Sequence, residues 1–163
     1  GEVVVDMFTG VGPFALLAAK RHPVTVYALD VNEHAIDCLE QSLKLNRLRG
    51  QVIPLLGDSR RIVLDELRRR ADRVVMNLPH DAFAYLDVAA AAVKTSGGII
   101  HYYGVSSEQV PVEQLQAQVT AELRKQGIVV KRVRSRRVRE IAPYEAQVAL
   151  DLQVVPAETK MIT

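Results

Sequence analysis

The sequence holds a single cysteine, Cys38, in 163 residues. That excludes an internal disulfide framework and a zinc site built from several cysteines. No apolar run approaches the ~20 residues a membrane-spanning helix needs. The longest are strand-length or are broken by Lys, Asp or Gly. Internal repeats and low-complexity linkers are missing too. So is a large excess of one charge: the formal net charge is +2, and the chain as a whole is no polycation. Val3-Val4-Val5 opens directly as a strand, so no secretory signal is visible. These absences leave a cytoplasmic monomer without membrane or metal as the expectation. The residues that are present, 48% hydrophobic and 25% charged, suffice for one domain with a real core.

Strand-like and helix-like segments alternate along the chain, which predicts a parallel sheet with helices on both faces. Strands are expected at Val3 to Asp6, Thr25 to Asp30, Val52 to Leu56, Arg73 to Met76 and Ile99 to Tyr103. Helices are expected over Phe14 to Arg21, Glu33 to Leu45, Arg61 to Arg70, Ala82 to Val93 and Val112 to Gln126. The second helix should turn Ile36, Leu39, Leu43 and Cys38 inward. Two further strands, Ile128 to Arg137 and Ala146 to Val154, follow without a helix between them. Their connection through Ala142-Pro143-Tyr144 is too short for a parallel crossover, so the sheet should end in an antiparallel hairpin. This order resembles the Rossmann-like α/β fold of S-adenosylmethionine methyltransferases, with a seven-stranded, mostly parallel sheet. A plain dinucleotide-binding domain more often closes with another parallel strand.

Ligands of such sheets sit outside the carboxyl ends of the strands, where the strand order reverses. The first strand runs into Asp6-Met7-Phe8-Thr9-Gly10-Val11-Gly12-Pro13-Phe14. Gly10 and Gly12 let the backbone turn sharply and approach a ligand without a Cβ in the way. A lone Gly-x-Gly is weak evidence and fits an ordinary strand-to-helix turn equally well. The nicotinamide fingerprint allows Ala15 as its third small residue, but its glycines should follow the strand directly, and here Asp6 and Phe8 intervene. Asp30 ends the second strand about 20 residues after the glycines, where a carboxylate can accept hydrogen bonds from ribose hydroxyls. Asp58 ends the third strand, where a side chain can meet an adenine amino group. Each acid can instead cap the following helix, although Asn32 is the better cap before Glu33. Acids at three consecutive strand ends are more specific than any one of them.

The fourth strand ends in Met76-Asn77-Leu78-Pro79-His80. In a methyltransferase-like fold this end lies beside the methyl donor and faces the acceptor. An Asn-x-Pro there can fix the amide and nearby carbonyls as acceptors for the N–H groups of a planar base. The alternative is a plain turn before a helix. His80 reads as a surface residue at a helix start, and His101 as a packed residue. His22 and His34 show no partner pattern.

Charge is unevenly placed. Lys131, Arg132, Arg134, Arg136, Arg137 and Arg139 follow one another with no acid between, and Arg68, Arg69 and Arg70 form a second cluster. A solvated strand face and a helix end account for such runs, but local basic patches also attract phosphates. Arg132, Arg134 and Arg136 are the candidate RNA contacts.

Together, DMFTGVGPF (6–14), VYALDVN (26–32), GDSR (57–60), DRVVMNLPHDAF (72–83), GGIIHYYG (97–104) and IAPYEAQVALDLQV (141–154) closely resemble the archaeal-type tRNA guanine-37 N1-methyltransferase family. The resemblance implies S-adenosylmethionine as cofactor and tRNA as partner. It implies that Asp6, Phe8, Gly10, Gly12, Asp30, Val31, Asn32, Asp58, Ser59 and Asn77 surround the cofactor. Asn77 and Pro79 would shape the site where guanine meets the methyl group. Two positions depart from the family pattern: Glu33 stands where a Pro is usual, and His80 where a Lys is frequent. The resemblance also implies that residues 1–163 are one catalytic domain, without the RNA-binding and connecting segments that family members carry ahead of the first strand. Those segments bear an arginine and the acid proposed as proton acceptor, so the isolated chain is expected to bind cofactor weakly and methylate poorly. A sister enzyme of wybutosine synthesis transfers an aminocarboxypropyl group from the same cofactor, but usually lacks the Asn-Leu-Pro. A second methylation of a tricyclic guanine derivative and a non-catalytic RNA-binding module are the remaining alternatives.

Overall fold

The computed structural model describes residues 1–157. Seven strands form one sheet in the order β3-β2-β1-β4-β5-β7-β6. The parallel part comprises β1 (Val3–Asp6), β2 (Thr25–Asp30), β3 (Gln51–Leu56), β4 (Arg73–Met76) and β5 (Gly98–Ser107). The strand order reverses between β1 and β4, so the loops after these two strands border the ligand crevice. The chain ends in the expected hairpin, β6 (Ile128–Ala142) and β7 (Glu145–Pro156), with β7 antiparallel to both β5 and β6.

Two apolar layers hold the helices on the sheet. On one face, α1 (Pro13–Arg21) and α2 (Glu33–Leu45) bury Ala15, Ala19 and Leu39 against Val4, Val26 and Ala28. On the other, α4 (Leu86–Ala92) and α5 (Val112–Lys125) bury Leu86, Val119 and Leu123 against Val5, Met76, Ile100 and Leu150. The alternation of β1 decides this division: Val5 and Met7 join one layer, while Val4 joins the other.

Several expectations need correction. Cys38 is exposed; it sits two residues, about 200° of helical turn, from Ile36 and so points away from the buried stripe. The helix expected over Arg61 to Arg70 is shorter and split. It begins as α3 (Ser59–Ile62), widens into a π turn over Val63–Leu67, and is stopped where Arg69 takes φ 55°. The segment from Ala82 begins as a 3-10 turn (Ala82–Tyr85) before α4. Strands β5, β6 and β7 run longer than their apolar patterns suggest, because the antiparallel ladder continues to Ser107↔Glu145 and Ala142↔Glu145.

Gly12 is the left-handed cap of α1, at φ 80°, and a Cβ there would lie 2.4 Å from the Leu39 Cδ1. Gly12→Ala therefore combines backbone strain with overpacking against a fully buried leucine. We expect it to destabilise the fold by about 2–4 kcal/mol, read as a lower urea midpoint. An unchanged midpoint would show that α2 shifts freely.

Candidate active site

Four strand tips are tied together by backbone. Met7 N–H donates to Val75 O (3.0 Å), Thr9 N–H to Leu29 O (2.8 Å) and Gly57 N–H to Asp30 O (2.9 Å). Asp30 organises the crevice. Its Oδ2 accepts from Gly10 N–H (2.7 Å) and its Oδ1 from Asn32 N–H (2.9 Å). Each oxygen keeps a further lone pair for a ligand hydroxyl. Gly10, at φ 56°, has nothing within 4 Å of where a Cβ would stand. The two glycines thus differ from each other: Gly10 faces open space, as a close backbone approach to a ligand requires, whereas the missing Cβ of Gly12 makes room for Leu39.

Val31 and Leu56 leave large apolar surfaces exposed beside Asp30, at 70% and 52%. Asn32 spends its side-chain oxygen on capping α2, accepting from His34 N–H (3.0 Å) and Ala35 N–H (3.4 Å). Asp58 caps α3 through Arg61 N–H (3.1 Å), the alternative role its position allowed, and remains exposed. Ser59 is buried in that first turn. Phe8 is half-buried and meets Tyr85 edge-on, with ring centroids 5.0 Å apart. Arg60 lies over the Tyr85 ring and pairs with Asp87. This Phe8–Tyr85–Arg60–Asp87 support escaped sequence reasoning, although Arg60 lies in the GDSR segment.

Asp6 is 1% exposed. Its Oδ2 accepts from the Thr9 hydroxyl (3.0 Å), and its Oδ1 has no hydrogen-bond partner among the described residues. Burial pushes the carboxyl up to about 7, partly opposed by the Thr9 hydrogen bond. Between the ordinary carboxylate range and pH 7, the folded chain therefore holds a proton that the unfolded chain has released. This contribution to stability is complete below about pH 4 and is lost as pH rises through 7. Asp6→Asn removes the dependence. Its melting temperature should match the wild type near pH 4 and exceed it by several degrees at pH 8. A constant difference across that range would contradict the assignment.

Asn77-Leu78-Pro79 forms the exit from β4. Leu78 O accepts from Asp81 N–H (3.0 Å) and Ala82 N–H (2.7 Å), and the Leu78 side chain packs on the core. Asn77 and Pro79 are half-buried just beyond the carboxyl end of β4. The Asn77 Oδ1, expected to accept from a substrate base, already accepts from Gln147 Nε2 (3.4 Å). His80 is exposed, as expected of a helix-start residue. His101 is polar rather than merely packed: its Nδ1 lies 2.7 Å from Asp151 Oδ1 and its Nε2 3.4 Å from Arg73. The residues contributing to this network come from three strands, so no local pattern announced it.

Alternation along β6 turns Val133 into the core of one face and leaves Arg132, Arg134 and Arg136 on the other. Arg136 reaches the Tyr103 hydroxyl (3.4 Å). It also borders a cleft of about 300 Å³ whose walls include Asp6, Phe14, Val75 and Tyr103. The basic row thus shares a sheet face with Asp6.

A sheet of this order, with a glycine turn after its first strand and an acid at the tip of its second, has the Rossmann-like methyltransferase architecture. The chain belongs to the TRM5/TYW2 methyltransferase domain family, whose pattern matches residues 1–131. It is 41% identical over 154 residues to the tRNA (guanine(37)-N(1))-methyltransferase Trm5b of Pyrococcus abyssi, covering 94% of this chain and 44% of that protein. It is 35% identical to the tRNA(Phe) (4-demethylwyosine(37)-C(7)) aminocarboxypropyltransferase of Methanocaldococcus jannaschii, covering 92% of this chain and 59% of that protein. The crystal structure of M. jannaschii TYW2 in complex with AdoMet superposes with a TM-score of 0.85 at 33% identity, covering 96% of this chain and 69% of that one. The chain therefore spans about half the length of the curated relatives it matches.

Proposed function

We propose that this domain binds S-adenosylmethionine and transfers its methyl group to N1 of the guanine at position 37 of tRNA. The observation that carries the reading is that the Asp30–Gly10 cradle and Asn77-Leu78-Pro79 close the strands on either side of β1, where the strand order reverses. The residues fit the cofactor on three counts. Space is open before Gly10, Asp30 offers free lone pairs, and Val31 and Leu56 present apolar walls. In this reading Asp30 holds the ribose, Val31 and Leu56 hold the adenine, and Phe8, braced by Tyr85, closes the inner wall. Asp6 sits behind the loop with one unpartnered oxygen. Gly12, Asn32 and Ser59 serve by shaping the loops.

When bound, S-adenosylmethionine supplies an electrophilic methyl group on a positively charged sulfur: the N1–C bond forms as the C–S bond breaks, and the N1 proton leaves to a base. Because the sulfonium already favours transfer, the protein's main task is orientation. Asn77 and Pro79 fix the plane of the target base, which must leave its stack to enter. Arg132, Arg134 and Arg136 hold the RNA backbone by phosphate contacts rather than by reading sequence. In this reading the domain acts in the cytoplasm, where tRNA is its substrate, and as a monomer, since like charges along the open edge strand β6 oppose edge-to-edge pairing.

Mass spectrometry of tRNA from cells with and without the full-length gene tests the reading. Loss of 1-methylguanosine at position 37 supports it. Loss of an aminocarboxypropyl group alone assigns the chain to the chemistry of the M. jannaschii aminocarboxypropyltransferase instead. For the basic row, Arg134→Ala combined with Arg136→Ala should weaken RNA binding. It should also flatten the plot of log K against log salt by about 1.5 units, for two lost phosphate contacts. An unchanged slope would remove these arginines from the interface.

A further inference from the structure

The β6–β7 hairpin reaches the reaction site through a short relay. Arg139 Nε donates to Gln147 Oε1 (3.1 Å), and Gln147 Nε2 donates to Asn77 Oδ1 (3.4 Å). The direction of this relay is forced. A guanidinium has donors only, so the Gln147 oxygen must face Arg139 and its NH2 must face Asn77. The Asn77 oxygen then accepts, and its Nδ2 is left without a partner among the described residues. Gln147 is 7% exposed, so both ends of its amide need partners where they stand.

A β-bulge makes the alignment. Arg136 pairs with Ala149 and Arg137 with Val148, so regular register would set Val138 opposite Gln147. The register instead shifts between Arg137 and Arg139, which brings Arg139 opposite Gln147. Bulges re-aim side chains in this way near functional sites. A valine opposite would have left the Gln147 oxygen without this partner.

We infer that Gln147 and Arg139 are positioning residues that lock the Asn77 amide with its NH2 directed to the substrate. This rests on the methyltransferase reading. Asn77 then acts on the base chiefly as a donor, and guanine offers a matching acceptor in O6. Electron density moves onto O6 as N1 gives up its proton, so a donor held there favours the attacking form of the base. The cation at the far end of the relay polarises both amides in the same sense and strengthens that donor.

Gln147→Glu tests the inference. The carboxylate still pairs with Arg139, which protects the fold, but it cannot donate to Asn77. In the full-length protein, kcat should fall about tenfold, because the carboxylate accepts from the Asn77 NH2 and turns that donor away from the base. S-adenosylmethionine affinity should be unchanged, and the acid limb of the kcat profile should move to higher pH. Arg139→Lys keeps a donor and should retain most of the turnover. A second measurement does not depend on activity. In 15N-labelled chain without ligands, Gln147→Glu should move the Asn77 side-chain amide signals and leave the Gly10 amide in place. If the Asn77 signals stay where they are, or kcat and its pH profile are unaltered, the relay does not exist. If the signals move while the wild-type full-length protein modifies no guanine, the relay stands and the methyltransferase reading fails.

Discussion

Asn77→Ala is expected to lower turnover about 100-fold while leaving S-adenosylmethionine affinity within about threefold. The asymmetry follows from where Asn77 sits. It is the first residue beyond β4 and half-buried, with its oxygen committed to Gln147 and its amide nitrogen without a partner among the described residues. None of the cradle hydrogen bonds made by Asp30 involves it. A contact made mainly as charge builds on the base affects kcat more than ground-state binding. Calorimetry and single-turnover methylation, run on the same full-length preparation, separate the two quantities. Equal losses in both would move Asn77 into the cofactor cradle.

Asp30→Ala is expected to do the opposite and weaken S-adenosylmethionine binding about 30- to 100-fold, the cost of losing charge-assisted hydrogen bonds worth roughly 2–3 kcal/mol. Part of that loss is indirect, since Gly10 and Asn32 lose the acceptor that holds their loops. The isosteric Asp30→Asn should also fail, with about a tenfold loss. Both native oxygens accept from backbone N–H groups, so one of those groups would confront an amide NH2. If Asp30→Asn binds like the wild type, the two loops are held by something other than this carboxylate.

The strand-and-helix order, the terminal hairpin and the tip residues Asp6, Gly10, Asp30 and Asn77 were legible because each depends on local pattern: apolar runs, glycine turns, and polar residues closing a strand. Helix α2 matched to the residue, since Asn32 supplies a clean cap and Ile36 and Leu39 a clean stripe. The segment after Asp58 was less legible. Its apolar residues fit one helix, whereas the early stop comes where Arg69 and Ala71 N–H donate to Ala91 O and Ala92 O, partners distant in sequence. Gly12 looked like Gly10 because a glycine does not reveal whether ligand or leucine replaces its missing Cβ. Gln147 was invisible as a site residue. It lies 70 residues from Asn77, and its position depends on a bulge that no local pattern marks.

The most direct measurement is a calorimetric titration of the chain with S-adenosylmethionine, repeated with Asp30→Ala. One saturable site, strongly weakened by the substitution, is the result this structure predicts. No saturable heat, or an affinity indifferent to Asp30, would contradict a cofactor crevice at the tips of β1 and β2.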